Sequence, residues 1–297
     1  MAERAWVTVC IGGAPGEADC AALVEQLAHR GHVVFWLLLS EHWPQKAGSA
    51  VVSQISEIKR GVNIVSLASP AWSDVVAAVT RVYRGAGAID ALVCMTSSVC
   101  IAPFEETGVS PELELYSAAT AMSVIKAVLA KMRRRGRGKI VFLSDVSSSL
   151  AFPGGAVHAA ATCSLLAFGK ALRLEVHHLG IDVTFITTNT FRQISLPVES
   201  KHIADYDVLR SWLHWVHSGR IKSSIVDADV FQKIVDHVGY EGRTLAYHHW
   251  IGVSWLNRAF VAVRSLVPGW VGDWLYSRLV QNPYGPFQAR KPVATEL

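Results

Sequence analysis

Residues 5–12, AWVTVCIG, with the second apolar run VVFWLLL at 33–39, decide the fold. Neither run alternates polar with apolar residues, which is the mark of strands buried on both faces. Between them lies a glycine-containing turn and then Ala21–Arg30, whose apolar residues recur at helical spacing. Strand, turn, helix and second buried strand make one crossover unit of a parallel sheet.

Working outward, the same alternation continues. Val62–Leu67 reads as a third strand, Trp72–Tyr83 as a helix and Ile89–Met95 as a fourth strand. A long helix around Leu113–Arg134, the strand Lys139–Ser144, a helix over His158–His177 and the strand Ile181–Thr187 follow. This order predicts an α/β fold: a Rossmann-like, doubly wound parallel sheet in three layers with right-handed crossovers. After Thr188 the pattern changes to helical stretches around Ser200–His217 and Asp227–His237. A tail follows, and six of the ten tryptophans lie between Trp212 and Trp274. The expected organisation is one domain over 1–297, with a core of about 1–195 and a helical, Trp-rich lid over 196–297.

Apolar residues make up 51% of the 297 and charged residues 18%, enough to build a large core and against disorder. The net charge of +4 is mild. Its densest run, Arg133, Arg134, Arg135, Arg137 and Lys139, has no interleaved aromatics, so nucleic acid is not an expected partner. Cys10, Cys20, Cys94, Cys100 and Cys163 are odd in number and form no CxxC pair, and several sit in strand-like runs. They read as buried, reduced thiols in a cytoplasmic protein. The chain opens directly into a strand with no leader pattern, and the apolar run 33–39 is far too short to span a bilayer. His214 and His217 have metal-ligand spacing but no acidic or cysteine partner, so no metal is expected. His177–His178 and His248–His249 read as surface pairs.

Landmark phrases carry a family resemblance. They are Asp90-Ala91-Leu92-Val93, Ala127–Met132 with the Arg-rich turn and Gly138-Lys139-Ile140-Val141, AFGKALRLEV at 167–176, and Gly180-Ile181-Asp182-Val183-Thr184. Over about residues 5–195 the chain resembles the short-chain dehydrogenase/reductases. Tyr247–Leu279, with Leu266-Val267-Pro268-Gly269-Trp270 inside it, resembles the tail of hydroxysteroid and retinol dehydrogenases, which helps close a pocket for a flat, greasy alcohol or ketone.

The resemblance implies which positions to compare. Of the family's three turn glycines, Gly12 and Gly16 stand for two and Ala18 replaces the third; Glu17 adds a negative charge where a pyrophosphate would lie. Ala68 stands for the adenine-contacting aspartate, Cys94-Met95-Thr96-Ser97 for the Asn-Asn-Ala-Gly phrase and Thr188-Asn189 for the Pro-Gly beside the nicotinamide. In the catalytic set, Ser117 aligns with the asparagine, Asp145 with the serine (Ser144 is adjacent), His158 with the tyrosine and Thr162 with the lysine. That lysine lowers the tyrosine pKa by charge proximity, which Thr162 cannot do. No tyrosine in the chain has a lysine four residues downstream.

Asp145 and His158 nevertheless align with positions that face each other across the substrate cleft. A histidine oriented by a carboxylate is a serviceable acid/base near neutral pH, and Ser144, Ser117, Thr162 and Cys163 are candidate hydroxyl and thiol neighbours. The alternative is that the two are drift in a dead site. The expectation is therefore an enzyme with no cofactor and no redox chemistry, of isomerase, cyclase or dehydratase type. Its substrate would be a hydrophobic polycyclic or terpenoid/polyketide-like molecule. Two alternatives stand beside it: a non-catalytic member binding a lipid-like ligand or a protein partner, and an atypical NADP-dependent oxidoreductase. The tail, with Trp255, Ala259, Val263, Leu266 and Val267 near one helical face, reads as a lid, a peripheral membrane contact or a surface for a homodimer or tetramer.

Overall fold

All five side chains of Val7–Ile11 (β1) are buried, which is why this strand carries no polar alternation and lies at the centre of a sheet. A computed structural model describes residues 5–12, 18–39, 61–95, 99–100, 102–106, 112–145, 148–149, 153–188, 194–195, 203–207, 209–211, 228–239, 248–251 and the isolated residues 255, 258, 259, 261, 262 and 271. From β1 the chain runs through Ala18–His29 (α1), Val33–Leu39 (β2), Val62–Leu67 (β3), Trp72–Ala86 (α2) and Ala91–Cys94 (β4). Val99–Cys100 (β5), Glu112–Arg135 (α3), Gly138–Asp145 (β6), Ala156–Val176 (α4), Ile181–Thr188 (β7) and Ile194–Ser195 (β8) follow. Ala228–Gly239 (α5) and His248–Ile251 (β9) complete the set.

Seven strands form one sheet in the order β3-β2-β1-β4-β6-β7-β9, and every neighbouring pair is parallel. The order reverses direction between β1 and β4, so the crevice of a doubly wound sheet opens there, beyond the carboxyl ends of the strands. On one face α2, α3 and α4 bury Val79, Val124, Ile125, Leu165 and Leu172 against Val9, Leu92, Phe142 and Phe185. On the other, Leu23, Val24 and Leu27 of α1 and Ile234, Val235 and Val238 of α5 pack with Cys10, Trp36, Val93, Val141 and Ile186. Three layers result. At the amino ends of the strands Asp90 accepts from the Val7 amide (3.0 Å) and from Arg135 Nη1 (3.2 Å), while its carbonyl accepts from the Lys139 amide (2.9 Å). One residue thus registers β1 and α3 through its carboxylate and β6 through its carbonyl.

The structure corrects the expected division at residue 195. Helix α5 supplies part of one layer of the sandwich, and β9 is the seventh strand of the sheet, paired with β7 from Phe185↔His248 to Thr188↔Ile251. Of the chain after 195, α5 and β9 are therefore part of the core and not a lid. A four-residue strand carries too short a period to be read from its own sequence. His214, His217 and most of the amphipathic stretch after 251 lie outside the described residues. Among the described residues no helix is long and apolar enough to cross a membrane.

Candidate active site

Strand β6 ends on Asp145, level with Thr188 of β7, and α4 begins at Ala156 so that His158 falls in its first turn. The carboxyl edge of the sheet and the start of this helix bring the two side chains together. His158 Nε2–H donates to Asp145 Oδ2 at 2.9 Å, with the residues 1% and 4% exposed. So little water reaches the pair that a charge on one must be balanced by the other. A carboxylate on one ring nitrogen orients the imidazole and sets its tautomer.

The remaining candidates are placed differently. Thr162 donates its hydroxyl to the His158 carbonyl (2.8 Å) and shares it with the Ala159 carbonyl (3.2 Å), so that proton is spent inside the helix. Ser144 Oγ lies 3.1 Å from Thr187 Oγ1, bonded across to β7 and not to the Asp145–His158 pair. Ser117 lies in α3, and its side chain is outside the described residues, as are Gly16 and Glu17. Cys163 is exposed, against the expectation of a buried thiol. Burial of part of its surface, then the nearby Asp145 charge, raises its pKa and keeps it protonated. Cys94 and Cys10 are fully buried on adjacent strands and burial pushes both thiols up, Cys10 to about 12, so neither serves as a nucleophile.

Two residues at this edge, Ser148 and Thr187, escaped the sequence reading, and a third, His248, reads in the sequence as a surface residue. Ser148 is buried and donates to the Asp145 carbonyl at 2.8 Å; its place in the run Ser147-Ser148-Ser149 was the available signal. Thr187 Oγ1 continues from Ser144 to His248 Nε2 at 2.8 Å, and the His248 ring stacks on Trp250 at 4.8 Å and 20°. Burial, with the charges of Lys170 and His249, lowers the His248 pKa to about 4, so this ring is neutral near pH 7. The His248–His249 pair is thus half-buried in a strand rather than a surface pair.

The crevice between β1 and β4 tests the fit of a dinucleotide. Gly12 ends β1 with φ 84°, a conformation a β-carbon would strain. Trp36 Nε1–H donates to its carbonyl at 2.9 Å and holds the turn against β2. Helix α1 then starts at the carboxyl edge of the sheet and turns the positive end of its dipole that way. These features fit a pyrophosphate. Beyond β3, Ala68 offers no side-chain acceptor, and the Ser69 hydroxyl is bonded to Asp74 Oδ2 at 2.7 Å. Among the described residues no group of three potential ligands forms a metal cluster.

Comparison with known proteins bears on what such a site does. A family model described as short chain dehydrogenase matches residues 8–194. A Drosophila melanogaster protein named dehydrogenase/reductase SDR family protein 7-like is 32% identical over 123 residues, 40% of this chain and 37% of its own length. The match therefore spans little more than a third of that relative. An uncharacterized oxidoreductase of Schizosaccharomyces pombe is 23% identical over 181 residues, 59% of this chain and 76% of that protein. Among solved structures, a short-chain dehydrogenase from Streptomyces avermitilis superposes with a TM-score of 0.66 over 95% of this chain and 98% of its own, at 18% identity. A gluconate 5-dehydrogenase from Burkholderia cenocepacia, solved with NADP and tartrate, gives 0.50 over 62% of this chain and 70% of its own, at 20% identity. At such identities the two structures speak for the fold alone. The expectation of a cofactor-independent, non-redox isomerase or cyclase is overturned by the family match and by relatives named as oxidoreductases. It rested on substitutions around the crevice, of whose glycine turn only Gly12 is among the described residues. With the sheet order, the crevice and more than half of the chain in agreement, the chain belongs to the short chain dehydrogenase family.

Proposed function

We propose that this protein is a nicotinamide-dependent oxidoreductase in which His158, held by Asp145, handles the proton. The observation that carries the reading is the buried 2.9 Å contact between His158 Nε2 and Asp145 Oδ2 at the carboxyl edge of β6. Gly12 and the first turn of α1 would hold the pyrophosphate, and the nicotinamide, when bound, supplies or accepts the hydride. The chain's own part is the proton. The proton given to a forming alkoxide, or taken from an alcohol, moves at the His158 ring. Asp145 offsets the positive charge on the ring while both nitrogens are protonated. By the family resemblance this histidine stands where a tyrosine acts, and the Asp145 carboxylate, not a separate lysine, supplies the charge beside it.

The test is nicotinamide binding and turnover together. Calorimetry with NADPH and NADH is expected to give a dissociation constant in the micromolar range for one of them. Oxidation of that cofactor at 340 nm, against a panel of ketones, diketones and quinones, is expected to identify a substrate. His158→Ala is expected to lower kcat by about 10²–10⁴, the usual worth of a general acid/base, with cofactor affinity retained. Absence of binding by either cofactor would sink the reading; equal turnover by the variant would remove His158 from it.

A further inference from the structure

Two hydrogen bonds not used in the proton transfer close a ring around the Asp145–His158 pair. Ser148 Oγ–H donates to the Asp145 carbonyl at 2.8 Å, three residues back along the chain. The carbonyl of Ser148 itself accepts from Cys163 Sγ–H at 3.1 Å. Cys163 lies on α4, on the same helix as His158 and five residues beyond it. The end of β6 and the start of α4 are therefore joined twice: by the side-chain pair, and by a turn whose hydroxyl grips the strand while the helix thiol grips the turn.

We propose that Ser148 is a positioning residue for the Asp145–His158 pair, with Cys163 as its anchor on α4. The inference rests on the reading of His158 as the proton-carrying group. Ser148 is 5% exposed and its proton is already donated, so it acts on the carboxylate's direction and not on a substrate. How the chain leaves β6 sets where the Asp145 carboxylate points, and that exit is what the hydroxyl holds. The anchor works only as a thiol. Its raised pKa, which the Asp145 charge assists, keeps the S–H donor in place at neutral pH. A shift of about 1 Å in a group that must meet a reacting atom costs on the order of 10² in rate, so a turn that restrains one is felt in turnover.

The experiment reads the hydrogen bond itself. In the full chain labelled with ¹⁵N-histidine, the Nε2–H of His158 is expected as a low-field proton resonance slow to exchange, assigned by its loss in His158→Gln. Ser148→Ala is expected to broaden it or raise its exchange rate at least tenfold, Ser148→Thr to restore it, and Cys163→Ala to weaken it from the other element. Where a substrate is in hand, Ser148→Ala lowers kcat about tenfold, the worth of one hydrogen bond, with KM unchanged. A folded Ser148→Ala protein whose resonance keeps its position and exchange rate overturns the proposal. So does a parent protein that shows no such resonance. If Ser148→Ala does not fold, Cys163→Ala decides alone, and an unchanged signal overturns the proposal. The resonance needs no cofactor, so a protein that never oxidises NADPH sinks the oxidoreductase reading while leaving this assignment to be judged by its own signal.

Discussion

Gly169 has no room for a β-carbon. One built there falls 2.7 Å from Phe142 Cε2 and 2.7 Å from Phe185 Cε1, two rings stacked at 5.3 Å across β6 and β7. The glycine is what lets α4 lie close on the sheet just below the residues that hold His158. Gly169→Ala gains about 0.5–1 kcal/mol of helix propensity but overpacks the core by about 1–3 kcal/mol. Neither ring can move cheaply, since both are buried, so packing wins. A net loss of about 1–2 kcal/mol is expected, read from the urea midpoint at unchanged slope. A variant as stable as the parent would mean that α4 rides higher on the sheet than described.

At the scale of elements, two histidines at the edge formed by α5 and β9, His237 and His248, are neutral in the fold. His237 Nε2 and His249 Nε2 lie 2.8 Å apart, a pair in which one ring donates and the other accepts. Lys139 donates from Nζ to the His237 carbonyl at 2.7 Å, closing the last turn of α5. Burial, then the charges of His249 and Lys139, lowers the His237 pKa to about 4 against the raising effect of Asp182; burial, Lys170 and His249 do the same to His248. Both folded values lie below the ordinary imidazole value of 6.5, so between about 4 and 6.5 the unfolded chain binds more protons. The stability these rings contribute is fully present above pH 6.5 and is lost as pH falls through that window. Hydrogen exchange of α5 and β9 is expected to accelerate from pH 7.5 to pH 5, after correction for intrinsic rates, while β1 and β4 stay protected. His237→Asn should flatten that dependence. Equal protection of α5 and β9 at both pH values would contradict it.

At the scale of the molecule, the sandwich closes only with the residues after 195. Deleting from residue 228 onward removes α5 and β9, and with Ile234, Val235 and Val238 goes part of the cover over Leu23, Val24, Leu27 and Ile186, buried in the same cluster. Each such side chain is worth about 1.5–3 kcal/mol of burial, and the whole domain is stable by only about 5–15 kcal/mol. The truncated chain is therefore expected to lose cooperative urea unfolding and near-ultraviolet circular dichroism. A cooperative transition like the parent's would place the boundary of the core back near 195.

What the sequence determines by itself is the sheet. Val33–Leu39 coincides with β2, because a strand buried on both faces announces itself by the absence of polar residues; Val62–Leu67 coincides with the edge strand β3, an apolar run broken by the exposed Asn63 and Ser66. Helices α1 to α4 follow from period alone, with ends shifted by a few residues where capping is local. The nearness of Asp145 and His158 was also legible, since β6 and α4 are consecutive elements and the family frame sets both ends of the connection. Tertiary structure decides the rest. Strand β9 exists because the edge of β7 offers it unpaired amides and carbonyls, which no pattern inside four residues encodes. The hydroxyls of Ser144, Thr162 and Ser148 go to whichever acceptor stands within about 3 Å, and hydrogen bonding has no longer reach than that. Strand register and helix phase set those distances, so the direction of each proton at this edge is settled only once the chain has folded.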